Sequence, residues 1–218
     1  MLTRIGLINC FLVRESDGLT LIDAGLKGSE DEILAAAAAL GQPIRRIFLT
    51  HAHVDHVGSV DAVMAKLPGL TIAASDRTVP MLQQVADTSL LPGEPQTPIK
   101  GAMPGIAYPV TQRIEAEGIY GSLRAISTPG HVPGHISFLD ERDGTLYAGD
   151  ALASVSGLTV SGWPPWWFPL RKTWHKPTAL ASAKLLLDLP IQRFACGHGA
   201  VNEGGRAALE AAIAKAKL

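Results

Sequence analysis

Seven residues constrain this chain more than any other stretch: Thr50-His51-Ala52-His53-Val54-Asp55-His56 sets three imidazoles and a carboxylate directly behind the apolar run Ile47-Phe48-Leu49. Such a run reads as a buried strand, so the polar residues stand where its C-terminal end opens into a loop. Alternate side chains of an extended segment share one side, which lets His51 and His53 aim at a common point while Ala52 faces away. One metal ion could be gripped there. Asp55 and His56 follow at a spacing that lets the turning chain present them to a second point, with Gly58 giving the backbone room for close approach. A polar loop with a few surface histidines is the bland alternative, and it is weakened by further ligand-type residues behind later strands.

The flanking sequence supplies the scaffold. Residues 5–13 are rich in β-formers, and residues 19–23 read as their hairpin partner across Ser16-Asp17-Gly18. Ser29, with Glu32 three residues on, predicts a capping box for a helix that runs through the alanines 35–39 and stops at Gly41. A strand over 45–49 delivers the metal motif, followed by a helix over 57–67 and a strand over 70–74. Between Asp87 and Pro109, Pro92, Pro95, Pro98, Pro104 and Pro109 alternate with Gly93, Gly101 and Gly105. That density of breakers excludes helix or central strand and predicts a long surface loop near the site. Strands over 123–127, 136–139, 146–148 and 192–195, with helices over 178–188 and about 204–216, complete an α/β chain. With 218 residues, 47% of them hydrophobic, a single domain over residues 1–218 is expected.

His-x-His-x-Asp-His resembles the signature of the metallo-β-lactamase superfamily, whose members are mostly two-metal hydrolases. The resemblance covers essentially the whole chain and implies a four-layer αββα sandwich. It also implies a ligand set. His131, in Thr128-Pro129-Gly130-His131, matches the histidine that joins those at His51 and His53 on the first metal. Asp150, closing Tyr147-Ala148-Gly149-Asp150, matches the carboxylate that bridges the metals. His198, in Cys196-Gly197-His198-Gly199, matches the last ligand of the second metal, beside Asp55 and His56.

The residue chemistry stands beside the resemblance. Strand ends that each deliver a nitrogen or a carboxylate suit an open catalytic site rather than a closed structural one. Imidazole and carboxylate without thiolate suit two divalent ions, zinc first, with iron or manganese as alternatives. Such a pair, roughly 3.5–4 Å apart, lowers the pKa of a shared water from about 15.7 toward 7 and holds a hydroxide nucleophile, while Asp55 orients it or accepts its proton. His135 reads as a supporting residue, His175 as a loop or helix-start residue with a substrate contact as the alternative, and Cys196 as a small buried strand residue. All four tryptophans, Trp163, Trp166, Trp167 and Trp174, lie in or just beyond the proline-stiffened segment 162–169, which also holds Phe168. Trp163, Trp166, Trp167 and Phe168 are expected to form an apolar substrate wall, a homodimer interface being the main alternative and core packing the other. Arg171 and Lys172 either meet a substrate carboxylate or stay solvated.

A net charge of −1 with 18% charged residues offers no basic face for nucleic acid and favours a small-molecule substrate. Two cysteines far apart form no disulfide framework, no leader pattern opens the chain, and no apolar run approaches a membrane span. The cytoplasm is therefore the expected compartment, with no membrane partner. Within the superfamily, an aspartate at position 150 argues against true β-lactamases, which resemble this chain but carry cysteine or serine there. Ala153 stands where acyl-homoserine-lactone lactonases usually carry tyrosine, and only one terminal helix stands where glyoxalase II enzymes add a helical region. The expectation is a dinuclear hydrolase cleaving a carboxylic ester, thioester or lactone by attack of a bridging hydroxide. A mononuclear iron persulfide dioxygenase, and β-lactamase or phosphoesterase activity, are the alternatives.

Overall fold

The computed structural model describes residues 1–4, 6–168 and 172–217, so the expected strand start at Ile5, and Pro169 and Arg171 of the aromatic segment, lie outside the described residues. The chain divides into two units, Met1–Asp87 with Gly101–Glu115 and Thr88–Lys100 with Ala116–Leu218.

The first unit is a sheet in the order β1-β2-β3-β4-β5-β6, formed by β1 (Leu2–Arg4), β2 (Ile8–Glu15), β3 (Gly18–Ile22), β4 (Ile44–Phe48), β5 (Thr71–Ser75) and β6 (Gln112–Ile114). The β2–β3 hairpin expected from the sequence pairs antiparallel, Phe11 opposite Ile22. From β3 onward the pairing is parallel, so the C-terminal ends of β3, β4 and β5 open on one edge. Leu19, Leu21, Ile22, Ile47, Phe48 and Ile72 are buried in full, as parallel strands covered on both faces require.

Helix α1 (Glu30–Leu40) ends where the sequence places its stop: Gly41 adopts φ 70° and its N–H bonds Ala38 O. The capping box does not form. The Ser29 side chain makes no cap bond, and the Ser29 N–H instead donates to Ser59 Oγ at 2.9 Å. The single helix expected over 57–67 is two, α2 (Val54–Val57) and α3 (Val60–Lys66), parted at Gly58-Ser59. Gly58 N–H bonds Gly25 O, and a Cβ on Gly58 would come within 2.5 Å of Lys27 N. Docking against that loop, invisible to helical periodicity, sets the break.

The second unit has the sheet order β13-β10-β9-β8-β7, from β7 (Ile119–Tyr120), β8 (Leu123–Ser127), β9 (Ile136–Asp140), β10 (Thr145–Gly149) and β13 (Arg193–Cys196), with a separate ribbon of β11 (Leu152–Ala153) and β12 (Thr159–Val160). Among the described residues of this sheet only β10–β13 pairs parallel, which sets the ends of those two strands together. Helices α4 (Lys176–Leu185) and α5 (Gly205–Lys215) bury Ala179, Leu180, Ala183, Leu209 and Ala212 against Leu139, Leu146, Phe194 and Cys196. Alanines on the helices let them lie close to the larger sheet residues. No described helix is long and apolar enough to cross a membrane. Residues 83–111, the breaker-rich stretch, contain neither helix nor strand.

Candidate metal centre

In the first unit the motif leaves the end of β4 and enters α2, so Asp55 and His56 sit on a helical turn rather than on an extended loop. His51, His53, Asp55 and His56 are all buried. What fixes His56, and His51 through Thr50, is a residue the sequence reading gave no role, Asp23, one position past β3. Because β3 and β4 run parallel, Asp23 lands beside the motif, its N–H bonding Phe48 O at 2.9 Å. It holds an unusual left-handed φ of 56°. Its carboxylate accepts from Thr50 N–H (2.9 Å), from the Thr50 hydroxyl (2.8 Å) and from His56 Nδ1 (2.7 Å).

These bonds set the tautomers. A carboxylate on Nδ1 places the His56 proton there and leaves Nε2 with its lone pair. The Thr50 hydroxyl, with its proton on Asp23, accepts from His51 Nδ1 at 3.0 Å, so Nε2 of His51 also carries a lone pair. That lone pair faces His53 Nδ1 at 3.1 Å. Two nitrogens, each about 2.0–2.1 Å from one tetrahedral ion, stand roughly 3.3 Å apart, so this spacing fits two ligands of one cation. The breaker-rich loop reaches this motif: Val54 N–H bonds Ala102 O at 2.9 Å, and a Cβ on Gly101 would fall 2.2 Å from His53 Nε2.

In the second unit, His131, Asp150 and His198 follow β8, β10 and β13 respectively, all buried. Gly130 lets the turn before His131 pass α4, for a Cβ there would meet the Ala179 backbone at 2.3 Å. His131 Nδ1 lies 3.1 Å from Ser161 Oγ, itself 2.9 Å from Thr173 Oγ1. One oxygen of Asp150, Oδ2, stands 3.3 Å from His131 Nε2 and 3.2 Å from His198 Nε2. A carboxylate oxygen set between two imidazole nitrogens suits a ligand shared by two cations. The donor set is therefore imidazole and carboxylate throughout. Both thiols are buried, and burial pushes Cys10 up to about 12 and Cys196 higher still.

The aromatic segment divides. Phe168 is buried with its ring 5.5 Å from that of His198, and Trp167 packs edge-on against Phe168. A cleft beside His131 and Asp150 is lined by Leu152, Pro164, Phe168 and Thr173. Trp163 donates its indole N–H to Lys217 O and stacks under Lys176, while Trp166 is 83% exposed. Trp174 is buried and donates to Thr97 O. His175 is the N-cap of α4, accepting from Thr178 N–H. Lys172 is exposed. Besides Asp23, sequence reasoning missed Thr50, Ser161 and Thr173. Asp23 had a signal, a carboxylate closing the apolar strand 19–22 just as Asp150 closes another.

This fold and these buried histidine and aspartate clusters define a class. The family model described as the metallo-beta-lactamase superfamily matches residues 3–198, and the chain belongs to that superfamily, with its α/β fold. It is 46% identical over 213 residues to YobT of Bacillus subtilis (strain 168), covering 96% of this chain and 91% of that protein. A hydroxyacylglutathione hydrolase of Alkalilimnicola ehrlichii is 30% identical over 175 residues, 78% of this chain and 54% of that enzyme. Among solved structures, TTHA1623 in a di-iron-bound form is similar at a TM-score of 0.69, with 28% identity and 94% of each chain covered.

Proposed function

We propose that this chain is a metal-dependent hydrolase acting on a carboxylic ester, thioester or lactone of a small molecule. In this reading His51, His53 and His131 hold one divalent ion, Asp55, His56 and His198 the other, and Asp150 is shared. The observation that carries it is Asp150 Oδ2, poised between the Nε2 atoms of His131 and His198 at 3.3 and 3.2 Å. Superfamily membership and the relative named as a hydroxyacylglutathione hydrolase support it, and the di-iron form of TTHA1623 supports a two-ion site.

Two bound ions, zinc first with iron or manganese as alternatives, would lower the pKa of a shared water from about 15.7 toward 7 and polarise the substrate carbonyl. The chain does the rest. Asp23 and Thr50 hold His56 and His51 in the tautomers that present Nε2. Asp55, at the first turn of α2, orients the attacking water and takes its proton. Phe168, anchored against His198, and Trp167 on top of it form the apolar wall for the acyl or leaving group, with Trp163 and the exposed Trp166 further out along the segment.

The test is metal content of protein purified without added metal, followed by hydrolysis of thioester, ester and lactone panels. We expect two equivalents of metal and turnover that His53→Ala or Asp150→Ala abolishes with the fold intact. One equivalent of iron, with oxygen uptake on a persulfide, would replace this reading with sulfur oxidation.

A further inference from the structure

Behind Asp150 runs a buried hydrogen-bond chain outside the proposed ligand set. The Asp150 main-chain N–H donates to His135 Nε2 at 3.0 Å. His135 Nδ1 lies 2.8 Å from Thr128 Oγ1, which lies 2.8 Å from Ser137 Oγ. The Ser137 hydroxyl donates to Ala148 O at 3.2 Å.

Both ends of this chain have fixed polarity, so every proton in it can be placed. An amide N–H only donates, so His135 Nε2 carries a lone pair and the ring proton is on Nδ1. A carbonyl only accepts, so the Ser137 proton goes to Ala148. Ser137 Oγ then accepts from Thr128, and Thr128 Oγ1 accepts from His135 Nδ1. His135, Thr128 and Ser137 are all buried to within 1%. The chain starts and ends on the same turn, Ala148-Gly149-Asp150, spanning the left-handed Gly149 at φ 48°. Gly149 O is taken from the other side by Gly197 N–H at 2.8 Å.

We propose that His135 is a positioning residue: as the Nδ1-protonated imidazole it accepts the Asp150 N–H and clamps this turn, so that Asp150 Oδ2 is held between His131 and His198. The proposal rests on the reading of Asp150 as a shared metal ligand. A side chain that only filled the core would need neither the acceptor nor the ordered hydroxyls behind it.

The test compares wild type, His135→Gln and His135→Leu. Glutamine restores an acceptor for the Asp150 N–H, whereas leucine fills volume without one. Zinc affinity is read by competition with a chelator, melting temperature on the metal-free proteins, and the His135 tautomer from the imidazole nitrogen spectrum of metal-free wild type. His135 should show a protonated Nδ1 and a bare Nε2. Leucine should weaken zinc binding about 10–100-fold, the range for partners that orient ligands, and glutamine should recover most of that loss. A protonated Nε2, an unchanged affinity in the leucine variant, or glutamine no better than leucine would each overturn the proposal. Should His135→Leu fail to fold, Thr128→Val carries the comparison, since it leaves the ring in place without its Nδ1 acceptor and should also weaken zinc binding. Were wild type to bind no zinc, the metal reading would fall while the nitrogen spectrum still judged the clamp.

Discussion

Asp23→Asn is the sharpest perturbation of the site, because it keeps shape and removes one acceptor. Asparagine tolerates the left-handed φ of 56° as aspartate does, so the backbone is not strained further. Its Oδ1 still accepts from Thr50 N–H, but an NH2 replaces the Oδ2 that receives the Thr50 hydroxyl and His56 Nδ1. A hydrogen bond to a charged group contributes about 1.5–3 kcal/mol, and two are lost in a buried setting. The hydroxyl can rotate and the ring can move its proton to Nε2, so the net cost in metal-free protein should be about 2–4 kcal/mol. At about 2–4 °C per kcal/mol for a chain of this size, the melting temperature should fall by roughly 5–15 °C. Moving the proton also removes the lone pair that faces the proposed ion, so zinc affinity by chelator competition should drop about 10–100-fold. A variant that melts within about 2 °C of wild type and holds its metal as tightly would refute the tautomer argument.

Two further outcomes follow from titrating groups. Burial pushes the Asp140 carboxyl up, but the hydrogen bonds and charge of Arg142 outweigh it and leave the group below its ordinary 3.8. A depressed folded value means the stabilisation is complete above the unfolded pKa and is lost as pH falls through the folded one. Arg142→Met should therefore melt below wild type near neutral pH, with the gap closing below about pH 4; a gap independent of pH would contradict the assignment. Burial, reinforced by the Asp23 charge, raises Cys10 to about 12, and burial with the Asp150 charge raises Cys196 further. Neither thiol should react with a disulfide reagent near pH 8 until the protein is unfolded, and rapid labelling of native protein would show that one is reachable.

The proposed ligand residues could be named from the sequence because His51, His53, Asp55 and His56 form one local motif behind an apolar strand, and His131, Asp150 and His198 stand in short motifs that the family resemblance matches. The break between α2 and α3 could not, since it depends on Gly58 meeting the loop at Gly25 and Lys27. Asp23 escaped for a related reason: its role exists only once β3 pairs parallel with β4. The tryptophans show the limit of composition. Trp174 is buried and Trp166 exposed within one short segment, and what separates them is a distant partner, Thr97 O, 77 residues away from Trp174. Neither spacing nor hydropathy carries that information.

Gly101 gives the breaker-rich loop an uneven tolerance to sequence drift. Residues 83–111 contain neither helix nor strand, so substitutions at their exposed positions disturb no ladder or helical turn. At Gly101 any side chain would run into the His53 ring, at a φ of 108° that L-residues rarely adopt. Sequence drift in the loop is thus pinned at Gly101 and again at Gly105, where a Cβ would meet Gln83 O at 2.2 Å, while the exposed positions between and around them stay open to change.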